Sequence, residues 1–125
     1  MGRQFDIKPV TPIIGGEVTG LDLSKPLSDE DFAALSDAFL DRKVLFFRDQ
    51  DMTLDQQKAM GRRFGDLHIH PSAKPYRENG VDHKEILFIH ADENTTRTAG
   101  DTWHTDVSCD PEPPMASILR LVKIP

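Results

Sequence analysis

The chain has 125 residues and a formal charge of −6, from 21 acidic against 15 basic side chains, which suits one small domain with a modest core. No stretch approaches the roughly 18 apolar residues that a membrane helix needs, no signal peptide is read at the start, and basic residues scattered over an acidic chain exclude nucleic acid as the main partner. Cys109 is the single cysteine, so an internal disulfide is excluded and a reducing cytoplasm is the expected compartment.

The opening segment mixes β-formers with breakers. Phe5-Asp6-Ile7 alternates, Pro9 and Pro12 interrupt, and Ile13-Ile14-Gly15-Gly16-Glu17-Val18 resumes. Two short edge strands are predicted, because proline donates nothing to a ladder and is tolerated mainly at edges. Leu21-Asp22-Leu23 leads through Pro26 to a helix start, with Ser28 as N-cap and Asp29, Glu30 and Asp31 complementing the helix dipole. Phe32, Leu35, Phe39 and Leu40 recur as one buried stripe, and Arg42 and Lys43 sit in the last turn.

Val44-Leu45-Phe46-Phe47 is a continuous apolar run, read as a strand buried on both faces. Thr53 with Gln56 reads as a capping box opening a second helix, with Leu54, Ala59, Met60 and Phe64 facing inward. Gly65 is the expected C′ residue ending it. Leu67 to Pro71 reads as a short extended piece and residues 72–84 as loop. Strands are predicted over Glu85–His90, Thr102–Val107 and Ala116–Val122, with Asp110-Pro111-Glu112-Pro113-Pro114 as a rigid turn.

The informative stretch is Thr102-Trp103-His104-Thr105-Asp106-Val107. In an extended strand side chains alternate, so His104 and Asp106 project from one face. An imidazole beside a carboxylate is two thirds of the facial triad that holds Fe(II) and leaves positions open for ligands. The competing reading is a hydrogen-bonded surface pair. Trp103 is expected to pack and fix this strand.

Trp103-His104-Thr105-Asp106, followed by a Pro-Pro turn and Ala-Ser-Ile-Leu, resembles the iron-binding region of the taurine dioxygenase family of Fe(II)/2-oxoglutarate-dependent oxygenases. The likeness continues upstream in order: Gly15 to Ser24 resembles the family's amino-terminal signature, Val44 to Gln50 its strand before the second helix, and Arg63 to Leu67 the segment after it. The resemblance implies a fold between α+β and mainly β. It would be the amino-terminal part of a double-stranded β-helix (jelly roll) with two flanking helices, present as a single partial domain over 1–125. It further implies His104 and Asp106 as iron ligands, with His70 and Val107 on the substrate side. Fe(II) would be the metal, 2-oxoglutarate the cosubstrate, and dioxygen and a small organic acid such as a sulfonate the partners.

Two positions depart from the taurine-using pattern, with Ala73 where a tyrosine is expected and Gly100 where an asparagine is expected. Both remove polar groups that would orient a small sulfonate. The distal histidine and the residues that hold 2-oxoglutarate have no match and are expected downstream of Pro125, since a full jelly roll needs about eight strands. The chain alone is therefore expected to turn over little, and a homo-oligomer of the full-length form is left open.

Two other classes stay open from the residues. His68 and His70, spaced i, i+2, would serve a zinc-dependent hydrolase, and a non-catalytic interaction domain would need no metal. His83 and His90 have no partner at ligand spacing and read as surface or hydrogen-bonded side chains. Cys109, set among acidic residues, reads as structural or pocket-adjacent.

Overall fold

A computed structural model of the chain describes residues 4–71, 74–98 and 100–123. The described residues group into two compact units that divide between Arg63 and Phe64.

The first unit carries β1 (Asp6–Pro9), β2 (Gly16–Thr19), α1 (Asp29–Arg42), β3 (Leu45–Phe47) and α2 (Leu54–Arg62). The strands form one mixed sheet of order β1-β2-β3. β1 and β2 are antiparallel, with Asp6 opposite Thr19 and Pro9 opposite Gly16. β2 and β3 are parallel, with Gly16 opposite Leu45 and Val18 opposite Phe47. A parallel pair needs a crossover, and α1 supplies it.

This order corrects the expectation of two edge strands. Of these two strands, β1, which ends at Pro9, lies at an edge and β2 does not. β2 contains no proline, so both of its sides can be paired, and it lies in the middle. At Gly16 a Cβ would stand 2.9 Å from Ile7 Cγ2 and 3.2 Å from Leu45 Cδ2, so both neighbouring strands close onto a position without a side chain.

β3 is likewise an edge strand rather than one buried on both faces. Leu45 and Phe47 turn to the core, whereas Phe46 is exposed beneath the Arg48 guanidinium, 5.7 Å from its ring centroid. The apolar run covers one face because only one side of the sheet is packed.

Local signals fix both helices. The Ser28 hydroxyl accepts from Asp31 N at 3.0 Å and donates to Asp31 Oδ2 at 2.8 Å. Asp31 also accepts from Gln4 N at 3.2 Å, which satisfies a buried carboxylate. Lys43, in the left-handed region, closes the helix through its N–H to Phe39 O at 2.7 Å.

Leu35, Phe5 and Val18 form the buried centre, with Ile7, Leu21, Leu27, Ala34, Leu45, Phe47 and Met60 packed around it. Leu40, expected in the stripe, is exposed. Five residues beyond Leu35, it lies about 140° around the helix at 3.6 residues per turn.

α2 opens with the expected capping box, Thr53 N to Gln56 Oε1 at 2.7 Å and Gln56 N to Thr53 Oγ1 at 3.2 Å. Leu54 and Met60 are half-buried, but Ala59 is exposed. The helix stops at Arg62 with a right-handed C-cap at Arg63, so Gly65 is not its C′ residue.

Three side chains tie α2 and the β3–α2 turn to the 21–29 segment. Gln56 Nε2 donates to Ser24 O at 2.8 Å. Gln50 accepts from Leu23 N at 2.8 Å and donates to Leu21 O and Arg48 O at 3.1 and 2.9 Å. Arg63 donates to Leu27 O at 3.1 Å and Asp29 Oδ1 at 2.9 Å while lying 4.3 Å over the Phe32 ring.

The second unit contains β4 (Tyr76–Glu78) and β5 (Val81–His83), paired antiparallel. This hairpin lies in the segment expected to be loop. Its two-residue turn is Asn79-Gly80, both with positive φ, the preferred sequence for a turn that follows strand twist. Tyr76 stacks on Phe88 at 4.7 Å between centroids. His83 is buried, with Nδ1 lacking a hydrogen-bond partner among the described residues, against the expectation of a surface or bonded side chain.

The strands expected over Glu85–His90, Thr102–Val107 and Ala116–Val122 do not form ladders among the described residues. Leu87, Phe88 and Ile89 are exposed, as are Leu119, Leu121 and Val122. A strand is a paired structure, and without a neighbour its sequence signal has nothing to bond.

Candidate functional site

The site is built on the 100–117 stretch of the second unit. His104 and Asp106 are brought together in a loop rather than a strand: His104 Nε2 stands 3.3 Å from Asp106 Oδ1, with both side chains about half exposed. The predicted pairing is met by a different backbone path. Val107, with φ 50°, turns the chain immediately after the carboxylate, and Asp110 N closes that turn on Val107 O at 3.1 Å. A β-branched residue in this region is strained.

The outer atom of each member of the pair is held. His104 Nδ1 donates to Thr102 O at 2.7 Å, which leaves Nε2 facing the carboxylate. Ser117 Oγ donates to Asp106 Oδ2 at 3.1 Å, which leaves Oδ1 facing the imidazole. Two ligand atoms each about 2.1 Å from a metal and roughly at right angles lie about 3 Å apart, so the donor pair fits one first-row cation. Such outer contacts are what metal-binding histidines and carboxylates use to fix tautomer and orientation. Among the described residues no group of three or more His, Cys, Asp or Glu side chains could hold a metal ion, so this unit presents two protein donors.

Gly100 lies directly against the imidazole. A Cβ at this residue would stand 3.0 Å from His104 Cε1 and 3.5 Å from Nε2, and its φ is +83°. Gly100, Asp101, Thr102, Trp103 and His104 line an open hollow of about 440 Å³. Trp103 is fully exposed, so it walls the hollow instead of packing behind a strand, because no second layer covers it.

His70 and Val107, expected on the substrate side, are both half-buried in this unit. Ala73, one of the two departures, lies outside the described residues, so its consequence is not structural here. His68 is half-buried with Nε2 3.7 Å from Asp110 Oδ2, beyond a good hydrogen bond. Cys109 is exposed.

Two residues escaped the sequence reading of the site. Ser117 stood inside the quoted Ala-Ser-Ile-Leu without a role, because its partner is 11 residues away. In the sequence Gly100 registers only as a missing amide, whereas its bare α-carbon is what admits the His104 ring.

A family profile described as "Taurine catabolism dioxygenase TauD, TfdA family" matches residues 6–125, and the chain belongs to that family. An alkylsulfatase of Acinetobacter baylyi is 33% identical over 124 residues, covering 98% of this chain and 37% of that protein. An alpha-ketoglutarate-dependent sulfate ester dioxygenase of Pseudomonas putida is 34% identical over 123 residues, covering 98% and 38%. An alpha-ketoglutarate-dependent sulfonate dioxygenase of Saccharomyces cerevisiae is 34% identical over 131 residues, covering 98% and 31%. The crystal structure of a taurine dioxygenase from Burkholderia xenovorans aligns with a TM-score of 0.63 at 28% identity, over 88% of this chain and 37% of that one. The chain thus spans about a third of the length of the curated relatives it matches. No helix among the described residues is long and apolar enough to cross a membrane.

Proposed function

We propose that the chain is part of a single jelly-roll domain of an Fe(II)- and 2-oxoglutarate-dependent dioxygenase that hydroxylates a small organic acid of the sulfonate or sulfate-ester class. The observation that carries this reading is the His104–Asp106 pair, whose inner atoms converge while the outer ones are tied to Thr102 O and Ser117. His104 Nε2 and Asp106 Oδ1 would hold the iron. When bound with 2-oxoglutarate, that metal supplies the chemistry converting 2-oxoglutarate and dioxygen to succinate and carbon dioxide as a substrate C–H bond becomes C–OH.

The chain's own residues position and shield. Thr102 O keeps the imidazole in the metal-binding tautomer, and Gly100 lets the ring sit flush against the backbone. His70 would meet the polar end of the substrate and Val107 its apolar part. Ala73 and Gly100 each lack a polar side chain that would orient a small sulfonate, which weighs against taurine itself as the substrate. The third metal ligand and the groups that bind 2-oxoglutarate would come from residues outside this chain, consistent with its share of the relatives' length. The lone, exposed Cys109 suits a reducing cytoplasm.

The test is an anaerobic titration of the full-length protein with Fe(II) and 2-oxoglutarate, followed by the visible charge-transfer absorption of the chelate. A saturable band, lost in His104→Ala and Asp106→Ala together with succinate formation, is expected. A band that survives both substitutions would remove the metal assignment, and oxygen-independent hydrolysis lost on changing His68 and His70 would put zinc in its place.

A further inference from the structure

Asp106 is half exposed, and nothing in its burial fixes which oxygen faces His104. The terminal torsion of an aspartate is broad and roughly two-fold, so an unrestrained carboxylate presents either oxygen, or both, at little cost. A single contact breaks that symmetry. Ser117 Oγ, reached across 11 residues, donates to Oδ2 at 3.1 Å, while Oδ1 faces Nε2 at 3.3 Å. On the imidazole the same task falls to the backbone, through Thr102 O.

We infer that Ser117 is a positioning residue that holds Asp106 with Oδ1 toward His104 by engaging Oδ2. This rests on the proposed metal role of the pair. A carboxylate whose Oδ1 is already aimed at the shared position gives up little torsional freedom when a metal binds, whereas an unrestrained one must be ordered at the cost of affinity. A hydroxyl is suited to this because it donates one hydrogen bond without adding charge. Because Ser117 is itself exposed, its replacement leaves packing intact, and a change in metal binding reports on orientation.

The experiment measures Mn(II) affinity of the full-length protein from the loss of the free-ion electron paramagnetic resonance signal, with no turnover involved. Ser117→Ala is expected to weaken binding by about tenfold, the lower end for loss of an outer contact to a metal ligand. Ser117→Thr, which keeps the hydroxyl, is expected to restore it, with the circular dichroism spectrum unchanged in both. Wild-type affinity in Ser117→Ala, or affinity in Ser117→Thr as weak as in the alanine variant, overturns the inference. His104→Ala is run beside them. If it loses the metal while Ser117→Ala does not, the positioning role falls and the dioxygenase reading stands, whereas if His104→Ala binds as wild type does, both fall.

Discussion

The α-carbon of Gly100 rests on the imidazole of His104, so closely that the first carbon of any side chain would stand 3.0 Å from Cε1. Two penalties would meet in one substitution. The residue has φ +83°, where an L-side chain costs about 1–2 kcal/mol, and its methyl would press on a ring held at its far nitrogen by Thr102 O. Gly100→Ala should therefore weaken Mn(II) binding by about tenfold, as other losses of ligand orientation do. Unchanged affinity would mean that the ring moves aside freely and that the contact is incidental.

Much of the first unit is written in local signals and was legible as such. Ser28 with three following acids, and Thr53 with Gln56, are caps whose partners lie within four residues, and both helices form where those signals stand. Leu35 follows from helical period alone. What the sequence did not disclose depends on distant chain. The central place of β2 follows from pairing with a strand almost thirty residues later, and the apolar run of β3 does not say how many of its faces will be covered. The Asn79-Gly80 turn lies inside a polar stretch that reads as loop, because its short flanking strands carry no apolar alternation. At the site, the spacing of His104 and Asp106 marks them as a pair, yet they meet in a loop and not by the alternation of a strand. Ser117 and Gly100 act through space, and neither carries a motif of its own.

Among the described residues of the first unit, Leu35 is the most deeply buried large side chain, 1% exposed. Leu35→Ala should lower the unfolding free energy by about 2–5 kcal/mol, the range for emptying a leucine-sized site. Leu40→Ala, on the far side of the same helix, should stay within about 0.5 kcal/mol. Urea denaturation of the two variants measures both. Equal losses would mean that the helix buries a different face.

Asp22 gives a pH-dependent signature in the turn before α1. The Ser24 hydroxyl, then Lys25 at 2.9 Å, then the Ser24 N–H stabilise its carboxylate and bring its pKa down from 3.8 to about 2. A pKa depressed on folding contributes stability that is present in full above the unfolded value and is lost as pH falls from about 4 through about 2. Carbon NMR titration of the carboxyl should show a midpoint near 2, and Ser24→Ala should move it back upward. A midpoint near 3.8 in the wild type would mean that the turn is not held in solution.

Gln50 deserves its amide and not merely its length. Its oxygen accepts from Leu23 N, and its nitrogen donates to both Leu21 O and Arg48 O, so every hydrogen on that nitrogen is spoken for. A Gln50→Glu substitution exchanges that nitrogen for oxygen. It would delete two bonds and set a negative charge against two carbonyl oxygens. The loop from 21 to 24 is thus held by a single atom's identity, since a carboxylate of the same shape would repel the two carbonyls that the amide now binds.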